Sequence, residues 1–110
     1  FDINTRAPFL LTQVIAKHLI EKGSRGAVVN ISSIAAKGGA PFICAYSASK
    51  AALNVLTTNN AAELAPHGIR VNAINMGWTL TDNENELMVR KGGADWLLAA
   101  EPALPLKRIM

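Results

Sequence analysis

Two short stretches decide the fold: Ala27-Val28-Val29-Asn30-Ile31 and Ile69-Arg70-Val71-Asn72-Ala73-Ile74. The first is β-branched and apolar on both faces, as a strand buried on both sides requires, and the second reads as another buried strand. Between them, from about residue 45 to 65, Ala51, Ala52, Leu53, Val55, Leu56, Ala61, Ala62 and Leu64 recur at helical spacing. Many are small, so one face of that helix can approach another surface closely. Pro66 and Gly68 end it. A strand-helix-strand unit with two-sided apolar strands predicts a parallel sheet and a right-handed crossover, hence an α/β fold.

Outward from this unit the pattern extends both ways. Phe9, Leu10, Val14, Ile15, Leu19 and Ile20 predict a helix from Thr5 to about Glu21, with Gln13, Lys17, His18, Glu21 and Lys22 opposite. Asn4 or Thr5 can cap it, Pro8 is tolerated in its first turn, and Gly23 marks its end. Residues 32–43 contain Gly38, Gly39 and Pro41 and read as loop. Gly77 opens a second loop. A short helix is expected from Asp82 to about Lys91, capped by Thr81 or Asp82 and broken at Gly92-Gly93, with another turn or two over 95–100. Two strands alone leave two long apolar edges unpaired. The expectation is therefore that residues 1–110 form part of a single larger domain, cut at both ends.

Half of the 110 residues are hydrophobic and 17% are charged, which excludes a disordered tail. The net charge of +3 comes from scattered basic residues with no run and no interleaved aromatics, so no nucleic-acid groove is expected. Cys44 is the only cysteine, so no intrachain disulfide can form; it reads as a small buried or loop residue. His18, expected on a helix surface, and His67, expected near a turn, are far apart without companion ligands, and no metal site is expected. No apolar run approaches the roughly 20 residues of a membrane helix. The start, Phe1-Asp2-Ile3-Asn4, lacks a Met, a basic n-region and a signal-like apolar core; with the lone cysteine it leads to the expectation of a cytoplasmic protein without membrane association.

Chemistry concentrates in Tyr46-Ser47-Ala48-Ser49-Lys50. Residues i and i+4 share a helix face, so the phenol and the ammonium lie within reach of each other. A cation beside a phenol favours its ionised form and suits it to exchange a proton with an alcohol or carbonyl oxygen. Asn30-Ile31-Ser32-Ser33 ends the first strand, and Ser33 precedes Tyr46 by thirteen residues. Ligands of open α/β sheets bind beyond the carboxyl ends of the strands, where Ser32, Ser33, Asn75, Met76 and Gly77 emerge.

On these residues the chain resembles the C-terminal half of the catalytic domain of the short-chain dehydrogenase/reductase family. The likeness runs through D-I-N-T-R-A-P-F-L-L-T-Q, V-V-N-I-S-S, Y-S-A-S-K-A-A-L and G-I-R-V-N-A-I-N-M-G-W-T-L-T, and the closing P-L-K-R-I-M is similar to a stretch before the family's last helix. The resemblance implies a Rossmann-like doubly wound parallel sheet, here an incomplete portion of it. It also implies a catalytic tetrad of Asn4, Ser33, Tyr46 and Lys50. Tyr46 would be the general acid/base and Ser33 would hydrogen-bond the substrate oxygen. Lys50 would hold the nicotinamide ribose hydroxyls and stabilise the phenolate, and Asn4 would anchor a water behind it. Gly77, Thr79 and Thr81 match cofactor-contacting positions, Gly77 by permitting close backbone approach.

The implied activity is hydride transfer between NAD or NADP and a secondary alcohol or ketone. The choice of cofactor is left open because the glycine-rich turn and the ribose-reading residue do not occur in these residues. Met76 stands where the family usually has proline. Trp78, Asp82, Asn83, Glu84, Asn85, Glu86 and Trp96 correspond to the variable substrate-facing region, and their polarity leans toward a sugar or polyol. The first and second long helices are similar to the pair that assembles family dimers and tetramers, so a homotetramer or homodimer is expected. The alternatives are a catalytically inactive binding or regulatory protein, or a half-length chain that needs a partner.

Overall fold

The computed structural model describes residues 1–105 and 107–109, and the chain divides into two compact units, 1–76 and 77–110. In the first unit a widened π-type turn, Asp2–Arg6, runs into helix α1, Ala7–Lys22. Strand β1 (Gly26–Ser33), helix α2 (Cys44–Leu64) and strand β2 (Ile69–Met76) follow. The β1–α2 connection holds two short 3-10 turns, Ile34–Lys37 and Pro41–Ile43. β1 and β2 pair in parallel from Gly26 opposite Ile69 to Ser33 opposite Met76. Their carboxyl ends therefore lie on one edge, as the sequence predicts. The second unit holds α3, Asp82–Gly92, and α4, Trp96–Ala100.

Glycine sets the two reversals that feed the strands. Gly23, at φ 64°, closes α1 while its amide and that of Ser24 bond back to Ile20 and Leu19. Gly68, at φ 72°, turns the chain into β2 after the Pro66-containing 3-10 turn that ends α2. Ala16, Leu64, Ile69 and Val71 form the core, with Leu19, Val28 and Ala61 packed on it.

The described residues differ from the sequence reading at several points. The strands are covered on one face only: Val29, Ile31 and Ile74 are about half exposed, because both long helices pack on the opposite face and no described residue covers this one. α1 does not bury its large apolar stripe. Thr12 and Ala16 are its buried residues, while Leu10, Val14, Ile15 and Ile20 are exposed. Small side chains permit the close approach of α1 to α2, and the larger ones flank the contact. Neither Asn4 nor Thr5 caps α1, since the preceding turn is itself helical and supplies the acceptors; the amides of Thr5 and Arg6 both reach the Phe1 carbonyl. Cys44 is exposed as the first residue of α2. The closing stretch 105–110 includes Leu106 and Met110, which lie outside the described residues, so its likeness is not followed further.

Asn30 carries a buried polar tie. Its amide donates to Thr57 Oγ1 at 2.9 Å, and that hydroxyl donates to the Leu53 carbonyl, pinning β1 to α2. Thr57→Val should cost about 1–3 kcal/mol by leaving the Asn30 amide unpaired, and Asn30→Leu/Thr57→Val together should recover most of it. Urea unfolding of the native protein reads both; equal losses would contradict the assignment.

Candidate active site

Tyr46 and Lys50 lie one turn apart on α2, and the Lys50 ammonium sits 5.9 Å from the centre of the Tyr46 ring. It also donates to the Ile31 carbonyl at 2.8 Å, which ties this face of α2 to the carboxyl end of β1. Tyr46 is 43% exposed, and its hydroxyl makes no hydrogen bond among the described residues. Two features thus coincide: a cation held by the strand end, and an accessible phenol beside it.

Ser32 and Ser33 end β1 with different surroundings. Ser32 is buried, and its hydroxyl donates to the Lys50 carbonyl at 3.3 Å beneath the helix. Ser33 is half-buried and caps the following 3-10 turn by accepting from the Ala35 amide at 3.1 Å, which leaves its hydroxyl proton free to donate. No hydrogen bond joins Ser33 to Tyr46 among the described residues.

Asn4 reaches the site from the other side. Its amide donates to Ser49 Oγ at 3.1 Å, and Ser49 Oγ donates in turn to the Tyr46 carbonyl at 2.7 Å. Thr5 adds a parallel bond, Oγ1 to the Ser49 carbonyl at 2.9 Å. Asn4 is thereby joined through Ser49 to the stretch of α2 that carries Tyr46 and Lys50. The sequence reading missed three of the parts that hold them. One is Ser49, whose position between Tyr46 and Lys50 was the available signal. Another is Asn54, one turn after Lys50, whose amide donates to Asn75 Oδ1 at the end of β2. The third is the Ile31 carbonyl, a backbone group that no residue type could have announced.

Gly77, Thr79 and Thr81 belong to the second unit and have their own local partners. Thr79 Oγ1 donates to the Gly77 carbonyl at 3.3 Å. Thr81 Oγ1 accepts from the Glu84 amide at 3.1 Å and caps α3, as the sequence allowed. Two of the polar residues expected to face substrate are engaged with tryptophans instead. Glu84 accepts from Trp78 Nε1 at 2.8 Å and Asn85 from Trp96 Nε1 at 3.0 Å, while the two rings stack at 5.6 Å, tilted by 36°. Among the described residues no group of three or more His, Cys, Asp and Glu is placed to hold a metal, and no helix is long and apolar enough to cross a membrane.

The family model for short chain dehydrogenase matches residues 1–91. The chain belongs to the short-chain dehydrogenase family. Carbonyl reductase [NADPH] 2 of Sus scrofa is 42% identical over 81 residues, covering 74% of this chain and 33% of that protein. L-xylulose reductase of Bos taurus is 44% identical over 75 residues, 68% of this chain and 31% of that protein. The chain thus spans about a third of the length of these relatives. Among solved structures, sorbitol-6-phosphate 2-dehydrogenase SrlD from Erwinia amylovora superposes with a TM-score of 0.87 at 28% identity, covering 97% of this chain and 44% of that one. NAD+-bound xylitol dehydrogenase gives 0.80 at 30% identity, with 97% and 45% covered. The parallel β1–β2 pair with its helices is therefore a portion of a Rossmann-like doubly wound sheet.

Thr81→Ala should loosen the first turn of α3 by about 1 kcal/mol, and Thr81→Ser should restore most of it. Hydrogen exchange of the Glu84 amide reports the change. Unaltered protection in Thr81→Ala would contradict the cap.

Proposed function

We propose that the protein is an NAD(P)-dependent oxidoreductase that interconverts a secondary alcohol and a ketone, with a sugar or polyol as substrate. The observation that carries this reading is the Lys50 ammonium, held between the Ile31 carbonyl and the Tyr46 ring, beside a phenol with no hydrogen-bond partner among the described residues. The donor set suits one end of a nicotinamide dinucleotide. Lys50 has three N–H donors and uses one on Ile31, so two remain for a ribose diol. When bound, that cofactor supplies the hydride chemistry.

The chain's own residues handle the proton and the geometry. Tyr46 gives its hydroxyl proton to a ketone oxygen, or accepts one from an alcohol, at the phenolic oxygen. The Lys50 ammonium stands beside the Tyr46 ring, 5.9 Å from its centre. Ser33, whose hydroxyl proton is uncommitted, donates to the same substrate oxygen and stabilises its developing charge. Asn4, joined to α2 through Ser49, orders water behind Lys50. Gly77, Thr79 and Thr81 contact the cofactor. These roles belong to one nucleotide-binding domain of which residues 1–110 are a part, a reading supported by the share of the relatives' length that the chain covers.

Several relatives and structural neighbours are named for sugar, sugar-acid or polyol chemistry, including L-xylulose reductase, gluconate 5-dehydrogenase and xylitol dehydrogenase. The neighbours hold either kind of dinucleotide, NADP in one and NAD+ in another, so the cofactor is proposed as NAD or NADP. A cytoplasmic homotetramer or homodimer joined through α1 and α2 accompanies this reading, supported by the exposed Leu11, Val14, Ile15 and Val55 on those helices.

Tyr46→Phe in the full-length protein should lower kcat by about 100-fold to 10,000-fold, the range of a lost general acid/base. Binding of the reduced dinucleotide, followed by fluorescence, should persist. Undiminished turnover would overturn the reading and favour a binding or regulatory role.

A further inference from the structure

We propose that Ser49 is the positioning residue that sets Tyr46 and Lys50 relative to Asn4, an inference that rests on the functional reading above. Ser49 is 1% exposed and lies between the two residues whose geometry the chemistry needs. Its hydroxyl has one proton, and that proton goes to the Tyr46 carbonyl at 2.7 Å. The α-helical ladder pairs the same carbonyl with the Lys50 amide. One oxygen therefore ties the side chain of residue 49 to the backbone turn that spaces the phenol from the ammonium.

The same Ser49 hydroxyl oxygen also accepts, from the Asn4 amide at 3.1 Å. The Ser49 backbone carbonyl takes Thr5 Oγ1 at 2.9 Å. Consecutive residues of the widened turn 2–6 thus grip the side chain and the main chain of one residue. No large apolar side chain in that turn could substitute for them, since the turn has no buried residue. Alanine at 49 would keep the helix and remove both the Tyr46 carbonyl bond and the Asn4 acceptor. The consequence falls on the orientation of the reacting groups, while Lys50 keeps its bond to Ile31.

Ser49→Ala in the full-length protein should lower kcat by about tenfold to a hundredfold, the scale of a small misplacement of reacting groups. KM and the dissociation constant of the reduced dinucleotide, measured by fluorescence without turnover, should stay within about twofold. Because Asn4 and Ser49 share one bond, the kcat loss in Asn4→Ala/Ser49→Ala should be smaller than the product of the two single losses. Multiplied effects, or a kcat unchanged by Ser49→Ala, would overturn the proposal. If Ser49→Ala fails to fold, Thr5→Val carries the test, with a kcat loss at constant KM supporting it and an unchanged kcat overturning it. Tyr46→Phe separates the two failures. Full turnover there overturns the functional reading and this inference together. Loss of turnover there, with normal kcat in Ser49→Ala, overturns this inference alone.

Discussion

Lys50 reaches from α2 to the Ile31 carbonyl at the carboxyl end of β1, 2.8 Å away, and the geometry of the site follows from that bond. A parallel pair puts both strand ends on one edge, and a crossover helix must return along the sheet to join them. Whichever face of α2 meets that edge is the face on which chemistry can be built. The Lys50 bond, with Ser32 donating to the Lys50 carbonyl beneath it, aligns the Tyr46–Lys50 face with the ends of the strands. Further along the same helix, Asn54 bonds Asn75 and Thr57 accepts from Asn30. Four polar ties along one helix leave it little freedom to rotate.

Packing explains why these ties are polar. The core of the first unit is small, centred on Ala16, Leu64, Ile69 and Val71 toward the amino ends of the strands. Apolar burial is not directional and would tolerate a modest turn of α2 about its axis. Hydrogen bonds between defined atoms would not. The hydrophobic contacts bring the helix to the sheet, and the hydrogen-bonded serine, asparagine and threonine side chains fix its rotation. Ser32, Ser49, Asn30 and Thr57 are each at most 9% exposed.

The sequence made the frame legible and left its wiring hidden. The strands, α2 and α3 are legible because β-branched runs, small-residue helical spacing and Gly or Pro stops are local signals, and the Thr81 cap follows from its place before α3. The buried face of α1 was not assigned from the sequence, for a physical reason. Large apolar residues at helical spacing mark the helix, while the close helix contact selects Thr12 and Ala16. Two-sided burial of the strands was inferred from their composition, and composition cannot say which residues lie on the second face. At the site, Tyr46, Lys50 and Ser33 stand out by residue type and spacing. The Asn4–Ser49 bond spans 45 positions, and the acceptor for Lys50 is a main-chain carbonyl; neither leaves a local mark.

The central claim is that Lys50, anchored on Ile31, presents its remaining donors to the cofactor ribose. Fluorescence titration of full-length Lys50→Met with the reduced dinucleotide tests it most directly. Loss of charged hydrogen bonds predicts binding weakened by about 10-fold to 100-fold with the fold intact by circular dichroism. An unchanged dissociation constant in a folded Lys50→Met protein would contradict the account.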